Sequence, residues 1–442
     1  MPGGPTNRRE RRRRAPVLST HVTDLIADLE ARNLIHDSTD REALRQSVAA
    51  GPVGIYYGCD PTADSLHVGN LIGLVVLRRF QDAGHQAIAL AGGATGMVGD
   101  PGGRSEERNL LDQETLDHNV ARIKGQLGRI VDLSDPARGI LVDNRDWTEP
   151  ITVLEFLRDV GKHVTVNQML ARESIKVRIE SEHGISFTEF SYMLLQANDY
   201  LHLHDAHGCS IQIGGSDQWG NIISGVDLIR RKRHAAVHAF SWPLLTASDG
   251  SKLGKTTGAR TWLDPEKTSP YALRQHFVQT ADDDVRQQLL TFSLRPIAEI
   301  EEIAAAHLEA PQRREAQRTL AHDVVSLVHG EGAAVAAADA ADLLFTSDPT
   351  GASEEAFDVL AGEIPSSRIA AGDVGDPVAT LVATGLASSN GDARRGLDQR
   401  AFSVNGAKMD EGTDLAVVER LHGRYLLLRK GKKSHHLVEV FS

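Results

Sequence analysis

Two segments of this sequence carry residues whose types and spacing suit phosphate chemistry. The first runs Tyr56-Tyr57-Gly58-Cys59-Asp60-Pro61-Thr62-Ala63-Asp64-Ser65-Leu66-His67-Val68-Gly69-Asn70. His67 stands just before an apolar helical pattern, where the positive end of a helix favours anions, and Gly69 has no Cβ to keep another backbone or a nucleotide away. The second is the loop Ala247-Ser248-Asp249-Gly250-Ser251-Lys252-Leu253-Gly254-Lys255-Thr256-Thr257-Gly258. Two ammonium groups on a Gly- and Ser-rich strap suit a triphosphate and the charge that builds on it in a transition state. Alone, each segment reads as ordinary turn structure; together, a His-bearing helix start and a distant lysine loop can grip a nucleoside triphosphate from two sides. A third cluster, Gly92, Gly93, Gly96, Gly99, Gly102 and Gly103 around Asp100-Pro101, has neither the G-x-G-x-x-G spacing of a dinucleotide site nor a P-loop. A dinucleotide oxidoreductase is thereby demoted.

The elements that must position these residues are legible as alternating patterns. From about Gly51 to Leu245, apolar strand-like runs (Val53 to Cys59, Ala87 to Ala91, Ile140 to Val142, Cys209 to Ile213) alternate with helical periodicity, which predicts βαβ units around a parallel sheet. Leu71, Leu74, Val75, Leu77 and Phe80 fall on one side of the first such helix, with Gly84 as its stop. After Pro270 the strands give way to helices as far as about Phe345. Residues 346–372 read as a linker with at most a short helix. A small α+β unit follows from about Asp373, ending in a hairpin-like pair, Tyr425 to Arg429 and Leu437 to Phe441, around Gly431. Residues 1–20, with Arg8, Arg9 and Arg11 to Arg14, read as a solvated basic arm without enough apolar content to fold alone.

Composition bounds the class. The 442 residues are 41% hydrophobic and 24% charged, an ordinary globular balance of a few domains. No apolar run approaches the ~20 residues of a membrane span, and the N-terminus lacks the apolar core of a secretory signal, so a cytoplasmic protein is expected. Two cysteines, Cys59 and Cys209, exclude a disulfide framework and a cysteine-based zinc cluster. The net charge of −12 argues at first against a nucleic-acid partner. Its placement argues otherwise, because Arg420, Arg424, Arg429, Lys430, Lys432 and Lys433 gather near the C-terminal hairpin.

Asp60 to Asn70 resembles the HIGH signature, and Lys252 to Thr256 the KMSKS signature, of class I aminoacyl-tRNA synthetases. Phe187-Thr188-Glu189-Phe190-Ser191-Tyr192 through Gln196 and Asp199, and Gly214-Gly215-Ser216-Asp217-Gln218-Trp219-Gly220-Asn221, resemble the bacterial tyrosyl-specific members in particular. The resemblance spans about His21 to Ser442. It departs at Asn70, where the signature has a second histidine, and at Leu253, Gly254 and Thr256, which replace Met, Ser and Ser while both lysines remain.

The resemblance implies a Rossmann-like parallel-sheet catalytic domain (21–258), an α-helical anticodon-arm domain (259–345) and a small α+β S4-like RNA-binding domain (373–442). It implies ATP-dependent activation of L-tyrosine, with Mg2+ on the triphosphate, then transfer to tRNA(Tyr) by a homodimer. By carry-over, Asp60, His67, Gly69 and Asn70 meet the nucleotide, Thr62 joins His67 at the γ-phosphate, and Lys252, Lys255 and Thr256 close over the pyrophosphate, with Arg104 and Arg108 as further candidates. Tyr56 and Asp199 read the substrate phenol, Asp100, Tyr192 and Gln196 surround its α-amino group, and Gln218 lies near its carboxylate. Arg429, Lys430, Lys432 and Lys433 meet RNA phosphates. A non-catalytic RNA-binding relative has no need of His67, Lys252, Lys255, Tyr56 and Asp199 together. The phenol-reading pair and the S4-like tail favour tyrosine over tryptophan.

Overall fold

The computed structural model describes residues 24–101, 111–180, 184–244, 255–256, 259–344, 348–431 and 434–441. The basic arm 1–20, Arg104, Arg108, Lys252, Lys432 and Lys433 lie outside the described residues, as do the side chains of Lys255 and Thr256.

Five strands, β1 (Gly54–Cys59), β2 (Gln86–Ala91), β3 (Gly139–Asp143), β4 (Cys209–Gly215) and β5 (His238–Trp242), form one sheet in the order β3-β2-β1-β4-β5. Every neighbouring pair is parallel. Strand β1 is buried at all but Gly58, because both faces of a parallel sheet are covered by helices. Alternation along β1 sends Tyr57 to the core beneath the helix Val68–Asp82 and Tyr56 to the opposite core, with Met193, Tyr200 and Leu201 of the helix Phe187–His207. The Tyr57 ring lies about 2.5 Å from where a Cβ on Gly73 would stand, so this helix can pack so close only with glycine there. Order reverses between β1 and β4, and the crevice beyond their carboxyl ends is where open α/β sheets bind ligands.

Five helices follow, Pro270–Val278, Asp282–Phe292, Ile297–Glu309, Glu315–His329 and Glu331–Leu343. They share one continuous core with the sheet, in which Leu71, Leu74 and Phe80 join Leu273, Phe277, Leu289 and Phe292. The stretch read as a linker is more structured than expected. It holds the ten-residue helix Glu354–Glu363, and a strand at 366–370. Strands β8 (Ser366–Ala370), β9 (Phe402–Val404), β10 (Ala407–Lys408), β11 (Tyr425–Lys430) and β12 (Ser434–Phe441) make a second sheet, ordered β10-β9-β11-β12-β8. Strand β8 pairs in parallel with β12; its Ser, Arg and Ala positions are exposed or half-buried on both faces, so no apolar period marks it in the sequence. The helix Asn390–Asp398 packs against this sheet, and its Gly396 gives the Phe402 ring the space a Cβ would fill. Between the two sheets, β6 (Lys255–Thr256) and β7 (Ala259–Arg260) form a short antiparallel ribbon.

Candidate active site

A cleft of ≈ 360 Å³ opens at the β1/β4 crevice. It gathers Tyr56, Asp60, Thr62, His67, Gly69, Asn70, Asp100, Tyr192, Gln196, Asp199 and Gln218, every expected site residue of the catalytic domain whose side chain is described. The ends of β1 and β4 supply the floor, the helix Phe187–His207 one wall, and the start of the helix Val68–Asp82 the other.

One end of the cleft is built around hydroxyls and carboxylates. The Tyr56 hydroxyl is buried and has no hydrogen-bond partner among the described residues. Asp199, about three turns into its helix and 2% exposed, accepts from Asn144 Nδ2 and from Trp147 Nε1, each at 2.9 Å. Burial pushes its carboxyl up to about 7, against the pull of those two donors and with Asp60 and Asp143 adding to the rise. Asp60 accepts from Thr95 Oγ1 at 2.6 Å and from the Tyr192 hydroxyl at 2.7 Å. A Cβ on Gly92 would collide with both Asp60 and Thr95, which explains one of the glycines after β2. Asp100 accepts from Gln218 Nε2 at 2.6 Å, and Asn221 in turn donates to Gln218 Oε1 at 3.2 Å. Asp60, expected at the nucleotide, therefore stands among the residues of the carboxylate end.

The other end is formed by the start of the helix Val68–Asp82. His67 caps the helix Val68–Asp82: its Nδ1 accepts the Gly69 N–H at 3.0 Å, and its own N–H donates to Asn70 Oδ1 at 3.1 Å. An Nδ1 that accepts leaves the proton of a neutral imidazole on Nε2. Burial, helped by the positive charge of Arg260, pushes His67 down to about 4, so it is neutral at pH 7 and presents an N–H donor. Asn70 thus has a capping role. No group of three or more His, Cys, Asp or Glu side chains converges among the described residues, so that part of the chain offers no cage for a resident metal ion.

The sequence reading missed Thr95, Asn144, Trp147 and Arg260. Asn144 and Trp147 follow β3 directly, and the carboxyl end of a parallel strand is a signal that could have found them. Arg429, expected at RNA phosphates, is half-buried, and its guanidinium donates to the Leu343 and Leu344 carbonyls at 3.2 and 3.0 Å, at the end of the helix Glu331–Leu343.

Residues 49–346 match the family model of class I tRNA synthetases for tryptophan and tyrosine, and residues 356–438 that of the tyrosine–tRNA ligase SYY-like C-terminal domain. The tyrosine–tRNA ligase of Opitutus terrae is 50% identical over 424 residues, 94% of this chain and 99% of that protein. This chain belongs to the tyrosine–tRNA ligases. The Mycobacterium tuberculosis tyrosine–tRNA ligase is 48% identical over 416 residues, covering 93% of this chain and 97% of its own length. A C-terminally truncated mitochondrial tyrosyl-tRNA synthetase of Aspergillus nidulans superposes with a TM-score of 0.67 at 35% identity, covering 73% of this chain and 94% of that one. The enzyme is therefore an aminoacyl-tRNA synthetase with ATP as substrate, and its parallel sheet and helices are the family's catalytic fold. No helix among the described residues is long and apolar enough to cross a membrane.

Proposed function

We propose that the two ends of the cleft divide the activation step between them. The observation that carries this reading is the Tyr56 hydroxyl, buried without a partner among the described residues and lining the same cleft as Asp199. A substrate phenol donates to Asp199 beside its two protein donors and accepts from Tyr56; phenylalanine leaves the Tyr56 hydroxyl unpaired and brings Asp199 no further donor, a rule for which tyrosine selection by this enzyme family is itself the reference case. Asp60, Asp100, Tyr192 and Gln196 hold the α-ammonium, and Gln218 lies by the carboxylate. One carboxylate oxygen then bonds to the α-phosphorus of ATP while the bond to the bridging oxygen breaks, its electron pair leaving with pyrophosphate. The protein's part is positioning and charge stabilisation. Thr62, the Nε2–H of His67, the Gly69 region and Asn70 face the triphosphate, and Lys252, Lys255 and Thr256 supply the strap over the leaving group. Magnesium enters as the counter-ion of the substrate triphosphate. In the second step a hydroxyl of the terminal tRNA ribose takes the tyrosyl carbonyl, and AMP leaves.

The C-terminal unit is the tRNA contact in this reading, through Lys430, Lys432 and Lys433 and the exposed Arg394, Arg395 and Arg400 of the helix Asn390–Asp398 and its end. A homodimer is supported by apolar side chains left on the surface: Val153, Leu154, Val166 and Phe187 are each more than half exposed. The enzyme would work in the cytoplasm with the rest of translation. Tyrosine-dependent exchange of pyrophosphate into ATP, run beside tryptophan and phenylalanine, tests the activation reading; exchange with tryptophan, or with none of the three, refutes it.

A further inference from the structure

The cavity holds one cation that neither the signature motifs nor the resemblance assigns. Arg260, exposed on β7, lines the cleft with His67. No hydrogen bond or ion pair joins its guanidinium to any described residue; its one recorded contact is with the Trp262 ring, 5.7 Å from the centroid. The comparison within the same cluster is informative. Lys267 also lies over Trp262, at 5.6 Å, yet it is paired with Asp64 at 2.8 Å. Lys267 is neutralised in place, and Arg260 is left with its charge toward the cleft.

The backbone fixes where that charge stands. Val68 N–H donates to the Thr261 carbonyl at 3.1 Å and Leu263 N–H to the Leu66 carbonyl at 2.8 Å, so 261–263 is stapled to the segment that bears His67. Trp262 N–H is held in turn by Thr268 Oγ1 at 3.0 Å. On the ribbon, Arg260 is the register partner of Lys255. A helix start with its N-terminal field, a neutral imidazole N–H and an unpaired guanidinium thus meet at one end of the cavity. That combination suits an anion with several oxygens, for which a planar fork of N–H donors is the best-matched side chain.

We infer that Arg260 is a further catalytic residue of tyrosine activation, binding the β- and γ-phosphates of ATP and the pyrophosphate as it departs. The inference rests on the nucleotide reading proposed above. As the carboxylate–phosphorus bond forms and the bridging oxygen takes the electron pair, Arg260 neutralises the charge arriving on pyrophosphate, and no proton need move. The same positive charge disfavours imidazolium at His67, keeping that neighbour in its donor form.

The test uses the full-length enzyme, Arg260→Gln and Arg260→Lys, with three measurements: the ATP dependence of adenylate formation, the pyrophosphate dependence of its reversal, and the tyrosine dissociation constant. Arg260→Gln is expected to need about tenfold more pyrophosphate and ATP, or more, with tyrosine affinity within about twofold of the parent. Arg260→Lys should recover part of the loss, since a point charge remains without the fork. Unchanged pyrophosphate and ATP dependence in Arg260→Gln overturns the inference and leaves the activation reading standing. An equal loss of tyrosine affinity overturns it too, as that marks a structural role. Absence of any tyrosine-dependent exchange in the parent overturns both.

Discussion

The indole N–H of Trp147 points at Asp199 Oδ1 from 2.9 Å, while the ring itself stacks on His202 at 4.3 Å between centroids and 12° between planes. The pair ties the loop after β3 to the helix Phe187–His207. Asp199 is thereby oriented by residues outside the cleft lining, and its second donor, Asn144, precedes Trp147 by three positions after β3. A carboxylate buried for function but steadied by two neutral donors has consequences for both stability and pH.

Asp199 titrates near 7 when folded against 3.8 as its ordinary value. Between those values the folded state holds a proton that the unfolded state has lost, so this group's contribution is full below about pH 4 and is lost as pH rises through 7. Asp199→Asn does not ionise. Its stability relative to the parent should therefore be greater at pH 8 than at pH 5, while tyrosine activation falls by ~100-fold or more at either pH. Denaturant titrations at the two pH values check the sign; a difference that is constant with pH contradicts it.

Tyr56→Phe separates stability from activity. It deletes a buried hydroxyl that has no partner among the described residues, and such an orphan costs about 1 to 3 kcal/mol. The variant should melt higher than the parent without tyrosine and activate tyrosine about tenfold less well, with weaker rejection of phenylalanine. A lower melting temperature would show that the hydroxyl is satisfied in the free enzyme.

His67 has two tasks that substitutions can part. His67→Ala loses the helix cap, at about 1 kcal/mol, as well as the imidazole N–H that the proposed mechanism turns to phosphate; His67→Asn keeps a good cap and should regain most of that stability without regaining the rate. Because the imidazole is depressed to about 4 from 6.5, the folded state binds fewer protons in that interval, and the parent loses stability as pH falls from 6.5 toward 4. His67→Asn should lack this component, and thermal melts across pH 4 to 7 measure it.

Arg178 and Glu189 form an ion pair at 2.6 Å with both side chains 2% exposed. It locks the short helix Glu173–Ile179 to the helix that carries Tyr192, Gln196 and Asp199. Glu189→Ala takes the carboxylate from a buried guanidinium that also donates to the Gly184 carbonyl at 3.3 and 3.2 Å, and removing one partner of such a pair costs roughly 3 to 5 kcal/mol. Loss of folding stability with weakened tyrosine affinity is expected; normal melting and binding would show the pair to be dispensable.

The sequence displayed some elements far better than others, for physical reasons. Strands β1, β2 and β4 are buried on both faces and stand out as apolar runs, whereas β5 interrupts its apolar residues with His238 and Ser241. Strand β8 hides because an exposed edge needs no hydrophobic period. In the site, Tyr56, His67 and Asp199 sit in long motifs. Thr95, Asn144 and Trp147 matter only through partners 35 to 55 positions away, which no local pattern encodes. The contacts of Arg429 with the Leu343 and Leu344 carbonyls were likewise invisible, because a basic residue on a hairpin looks solvated until the helix end beside it is known.

Strand β12 lies inside its sheet, between β11 and β8, although it is later in the chain than every other described strand. Until residue 441 has emerged from the ribosome, β8 has no neighbour and β11 lacks one. The parallel sheet that carries the cleft is complete once residue 242 has been made. Translation of this chain therefore finishes the tyrosine-activating sheet about two hundred residues before the C-terminal sheet can close, and a nascent chain stalled short of 434 would carry an activation site beside an open β-edge.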